Sequence, residues 1–167
     1  MIIKKITAVA LLLSTTSAMA TDSPITGSVQ PKCSVYTETQ GVYGNPLPNK
    51  LDTLPASGGT KASIRYDIAQ ANFYLARITH PNSFSSSPTL NDSVAWTGSS
   101  VVGQVSVAGM SAYEAAKVIS PINVTTFNMT LAGSTWFTVS STATYGYNKA
   151  LPAGNYTAII KADCIAK

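Results

Sequence analysis

Side chains that do chemistry are scarce in this chain. It carries one histidine, two cysteines and seven carboxylates against eleven Lys and Arg. A Ser-His-Asp arrangement would have to use His80, which sits in Thr79-His80-Pro81-Asn82 and reads as a surface-loop histidine at a strand end. Two cysteines and one histidine fall short of a four-ligand zinc site without carboxylate help. There is no Gly-x-Ser-x-Gly elbow, and Gly98-Ser99-Ser100-Val101-Val102-Gly103 lacks the Gly-Lys-Ser/Thr ending of a phosphate loop. The acidic residues fall singly, without the close pairing that general acid/base work favours. The expectation is a chain that is not an enzyme and holds no cofactor or metal.

Charge is also in short supply. The formal net charge of +4 includes Lys4 and Lys5, so half of it belongs to the first 20 residues. The remaining Lys and Arg are scattered singly and leave no basic footprint for nucleic acid. Long apolar runs are missing as well, apart from Ile6 to Leu13. That run is about half the roughly 20 residues a bilayer span needs. With Lys4-Lys5 before it and Ala18-Met19-Ala20 after it, it reads as a secretory leader over residues 1–20, cleaved after Ala20. The expected mature chain, Thr21 to Lys167, suits one domain.

What the chain does have is Ser, Thr, Asn and Tyr in period-2 alternation. Ala62, Ile64, Tyr66 and Ile68 alternate with Ser63, Arg65 and Asp67. Asn72 to Ile78 continues as a more buried strand, and Val101, Gly103, Val105 and Val107 share a face opposite Gln104 and Ser106. Thr125, Phe127, Met129 and Leu131 form another stripe, as do Thr135, Phe137 and Val139. The last strand, Asn155 to Cys164, aligns Tyr156, Ala158, Ile160, Ala162 and Cys164. Such alternation marks half-buried antiparallel strands. Only Ser111 to Val118 reads as helix, with Ser111 as N-cap and Glu114 at the capping-box position. Pro-, Gly- and Asn-rich stretches at 44–49, 55–60, 81–88 and 148–154 read as loops. The fold class expected is an all-β sandwich.

Cys33 and Cys164 lie near the two ends of the expected mature chain, each on the core face of its strand. In an oxidising compartment a disulfide is the default, with two free thiols or an intermolecular bridge as the alternatives. Trp96 and Trp136 sit in strand patterns, where they either pack on the sheets or offer stacking surfaces for a sugar.

One segment has no neighbour in sequence to pair with: Ile25-Thr26-Gly27-Ser28-Val29, just ahead of Gln30-Pro31-Lys32-Cys33-Ser34-Val35. Together with Leu151-Pro152-Ala153-Gly154-Asn155-Tyr156 and the alternating strand after it, this segment resembles the chaperone–usher pilus subunits. In that family an apolar residue, a mid-strand glycine and a valine precede the first cysteine, and the last strand opens with Gly-x-Tyr. The resemblance implies an incomplete immunoglobulin-like β-sandwich over residues 33–167, preceded by an N-terminal extension, residues 21–32, that acts as a donor strand. Ile25, Gly27 and Val29 would be its inward-facing residues. The acceptor groove would lie beside the final strand at Tyr156, Ala158, Ile160 and Ala162. Where family members usually place the second cysteine on the next core strand, this chain has Tyr66 and Ile68, and its second cysteine is on the last strand.

The implied function is a structural subunit of a bacterial fimbria, exported through the periplasm to the cell surface and contributing to adhesion. Its implied partners are other pilus subunits (copies or relatives), a periplasmic chaperone, an outer-membrane usher and a host surface receptor, with no nucleic acid. The rival reading is a secreted carbohydrate- or receptor-binding β-sandwich module, an adhesin.

Overall fold

The computed structural model describes residues 32–121, 123–147 and 149–167. The expected leader and the expected donor residues Ile25, Gly27 and Val29 therefore lie outside the described residues.

The chain forms two antiparallel sheets that share a core. The first contains β1 (Cys33–Thr39), β2 (Gly44–Leu47), β3 (Lys50–Asp52), β4 (Ala62–Ile68), β6 (Val94–Val105) and β9 (Gly133–Tyr145). The second contains β5 (Tyr74–Thr79), β7 (Val118–Ser120), β8 (Val124–Met129) and β10 (Lys161–Ala166), in the order β10-β5-β8-β7. β9 is the backbone of the first sheet. β4 pairs with its first half and β3 with its second, while β6 runs along the other flank. β1 pairs only with β4, and β10 only with β5.

Strict alternation explains β4 and β9. Ala62, Ile64, Tyr66 and Ile68 point inward from β4; Thr135, Phe137, Val139, Ser141, Ala143 and Tyr145 do so from β9. Phe137 sits at the centre, 5.5 Å from the Tyr66 ring edge-on and 4.2 Å from Phe127 of β8. Buried aromatic pairs of this kind add about 0.5–1.5 kcal/mol beyond the area they bury.

Four local expectations need correcting. The stretch at 44–49 is mostly strand, because β2 and β3 form a hairpin turning at Pro48-Asn49. Pro46 is tolerated there because β2 is an edge strand that need not donate on its outer side. In β6 Val105 packs inward, but before it Ser100 and Val102 do so in place of Val101 and Gly103. A bulge between Val102 and Gln104 inverts the alternation, and Gly103 sits where a Cβ would lie 2.6 Å from Thr138 Oγ1. The helix is shorter than expected: a 3₁₀ segment, Ala108–Ala112, leads into α1 (Tyr113–Ala116). Ser111 does not cap it, since its hydroxyl donates to Ala108 O, and Glu114 instead accepts the Val102 N–H at 2.8 Å. The final strand pairs with β5 only from Lys161 onward, because residues before it run beside the 81–88 loop, where Thr157 bridges to Ser86.

Candidate functional site

The most unusual feature of the fold is a pair of unfinished edges that face one another. β1 ends the first sheet and β10 ends the second, so among the described residues each presents one row of backbone N–H and C=O groups without a ladder partner. Such rows are templates for another strand. At one end the two edges are tied together: Cys33 and Cys164 form a disulfide with their Cα atoms 6.2 Å apart. The bridged cysteines, Val35, Ile160 and Ala162 all pack against the core.

Away from the disulfide, β1 and the segment leading into β10 flank a groove of about 390 Å³. Ala62 and Ile64 of β4 form its floor, Thr37, Thr39, Gln40 and Gly41 one wall, and Thr157 to Ile160 the other. Along β1 the residues pass from half-buried at Cys33–Val35 to exposed at Tyr36–Thr39, even though Thr37 lies opposite the buried Ile64. No lining residue carries a charge. The groove therefore offers an uncharged floor and, along its β1 wall, a backbone edge with no ladder partner among the described residues, and suits an uncharged extended segment with small or apolar side chains.

Of the residues expected to form an acceptor, Ala158 and Ile160 line this groove. Ala162 lies further along, packed on the core. Tyr156 is turned elsewhere: its ring packs 5.0 Å from Phe84 and its hydroxyl donates to Pro152 O at 2.6 Å. The floor residues Ala62 and Ile64 were legible only as a core face, and the β1 wall only as a continuation of Val35. The signal that could have found that wall is the run Thr37, Thr39, Gln40, Gly41, which is too polar for a strand end whose inward face is covered by its own sheet.

His80 overturns the surface-loop expectation, being only 4% exposed. It closes the end of β5 against β6 and β8, with Nε2 3.1 Å from Ser100 Oγ and 3.4 Å from Thr125 Oγ1, and with Nδ1 lacking a partner. Burial holds its pKa below the ordinary imidazole value, so the ring is neutral at pH 7. Lys117 donates to Ser100 O at 3.0 Å and pairs with Glu114. Burial pushes the Glu114 pKa up, but hydrogen bonds from Lys117 and from the Val102 N–H outweigh it and leave the carboxyl below its usual range. Each group in this cluster already serves to tie α1, β6 and β8 together, and no third group orients His80 as a base.

Both tryptophans are half-buried on sheet surfaces. Trp96 packs 4.7 Å from Phe84. Trp136 belongs to a cross-strand row in register, Tyr36–Arg65–Trp136–Gln104, in which the Arg65 guanidinium lies 4.6 Å from the Tyr36 ring and 5.8 Å from Trp136. Glu38 and Asp67 pair with the same guanidinium.

Among the described residues no group of His, Cys, Asp and Glu is placed to hold a metal ion, and no helix is long and apolar enough to cross a membrane. Comparison of the chain with family models, with curated proteins and with solved structures finds no match.

Proposed function

We propose that this protein is a structural, non-enzymatic subunit of a bacterial surface fibre, assembled by strand addition into the groove between β1 and β10. The observation that carries the reading is the β1 edge, without a ladder partner on its outer side among the described residues, beside an uncharged groove that the segment leading into β10 closes. A sandwich left open along one seam is what an immunoglobulin-like domain lacking a strand would present, and it needs a strand from elsewhere to satisfy its backbone. The segment Ile25 to Val29 supplies the matching chemistry: uncharged, alternating, with Gly27 in the middle and Ile25 and Val29 flanking it on the same face. In this reading a periplasmic chaperone fills the groove first and the extension of the next subunit replaces it at an outer-membrane usher. Head-to-tail addition does not close on itself, so it produces a filament on the cell surface.

The leader-like first 20 residues and the disulfide both agree with export to an oxidising compartment. Deleting Thr21 to Gln30 and producing the chain with its cognate chaperone tests the proposal. The expected result is a folded chaperone complex that no longer polymerises; polymer formation at the original level would sink it.

A second reading has its own observation. The row Tyr36–Arg65–Trp136–Gln104 presents two rings and hydrogen-bonding groups on the outer face of the first sheet, a composition that suits a sugar or a receptor surface. Trp136→Ala separates the readings: loss of glycan binding with assembly intact favours an adhesive role for this face.

A further inference from the structure

We propose that the Cys33–Cys164 bridge is an end-stop for the docked strand, confining it to a seat of about five residues, and that the occupant of that seat is Ile25–Val29 of a second copy of this chain. The inference rests on the strand-addition reading above.

A strand paired on both flanks holds its neighbours about 9.6 Å apart, twice the usual inter-strand spacing of roughly 4.8 Å. Cys33 and Cys164 hold β1 and β10 at 6.2 Å. No backbone can pass between them, so the groove is blind at that end. Beyond Cys33 and its immediate neighbour Ser34, β1 runs on for five residues, Val35 to Thr39. At about 3.4 Å per residue it accommodates a strand of equal length and two or three inward side chains. Ile25-Thr26-Gly27-Ser28-Val29 is five residues long and puts three residues on one face. Ala62 and Ala158 keep the seat roomy on both sides, and Ile64 gives it an apolar floor.

The same bridge argues against the chain filling its own groove. Lys32 still belongs to the β1–β4 ladder, since its carbonyl accepts the Ala69 N–H at 3.1 Å. Only Gln30 and Pro31 then separate Val29 from that ladder, and they would have to reverse the chain at the closed end. Two-residue hairpin turns need positive φ at their first central position. A residue before proline is pushed to extended backbone instead, and proline itself is held near −65°. Gln30-Pro31 is therefore ill suited to the tight reversal that filling its own groove would require.

Hydrogen exchange on the full mature chain, kept dilute, with a synthetic Thr21–Pro31 peptide as probe, tests this. Amides of Val35–Thr39 not bonded to β4, and those of Ala158–Ile160, should slow by about tenfold or more on adding peptide. Ser34 and the free-edge amides of Ala162–Cys164 should not change. Protection running through Ser34 to Cys164 would overturn the end-stop while leaving docking intact. Protection already present without peptide, at all dilutions, would show the chain's own extension in the seat and overturn the second copy as occupant. If the peptide leaves every amide unchanged in an open groove, strand addition itself fails. In Cys33→Ser/Cys164→Ser the footprint should lengthen toward residues 34 and 162; an unchanged footprint in the folded variant would also overturn the stop. If that variant does not fold, the wild-type footprint decides alone.

Discussion

Cys33 and Cys164 stand 131 residues apart in sequence and 6.2 Å apart at their Cα atoms, joining the first strand of one sheet to the last strand of the other. The bond spans the seam at which the sandwich is otherwise unpaired, and so fixes the separation of two edges that no ladder holds.

Its removal should be costly. On the chain-entropy account, closing a loop of 131 residues contributes up to about 5 kcal/mol. Cys33→Ser/Cys164→Ser is expected to lower the urea midpoint by the equivalent of about 2–5 kcal/mol, with a larger m-value because the uncross-linked denatured chain exposes more surface. Matched midpoints for the wild type with and without reductant would contradict this.

Tyr66 is fully buried in β4, and its hydroxyl reaches across the core to donate to the Arg77 carbonyl of β5 at 3.0 Å. Tyr66→Phe keeps the ring contact with Phe137 and leaves that carbonyl without its cross-core donor. The expected loss is about 1–2 kcal/mol, read from denaturant unfolding. Burial also pushes the phenol pKa well above its ordinary value. The wild type should therefore lose stability as pH rises above 10, and Tyr66→Phe should lose less.

His80 gives the fold an acid limit. Its folded pKa lies below the ordinary value of 6.5 because burial disfavours the charged ring. Below pH 6.5 the unfolded chain binds a proton that the native state refuses, so stability falls as pH drops from 6.5 through the folded pKa. Urea midpoints between pH 7 and 5 should decline for the wild type and stay flatter for His80→Gln. Parallel profiles would remove His80 from the account.

Gly98 in β6 is held small by the same ring, since a Cβ there would lie 2.6 Å from His80 Nδ1. Gly98→Ala should cost about 1–3 kcal/mol through overpacking. In a His80→Ala background the cost should shrink, because the clashing imidazole atoms are gone; strictly additive losses in the double-mutant cycle would show that the two positions do not couple.

The strands whose faces are cleanly apolar and polar were readable from sequence. β4 and β9 behave as their alternation demands, because a side-chain period of two admits one buried face. β6 was misread in phase, since a bulge between Val102 and Gln104 shifts its register against β9, and nothing within residues 94–105 announces where that pairing slips. His80 was misplaced for a similar reason. Nothing in Thr79-His80-Pro81 announces that Gly98, Ser100 and Thr125, from two other strands, will close over it. The groove was only partly legible: Ala158 and Ile160 lie on the last strand's alternating pattern, whereas the floor and the β1 wall come from segments about a hundred residues away in sequence.

By itself the sequence determined an all-β chain with an apolar leader-like start and a cysteine on the core face of the strand at each end. Those properties are local, set by composition, alternation and spacing. Only the tertiary structure decided that β1 and β10 are edge strands among the described residues, bridged by the disulfide, with a groove opening between β1 and the segment that leads into β10. Pairing order depends on which distant strands satisfy one another's backbone groups, and no stretch of this chain carries that information alone.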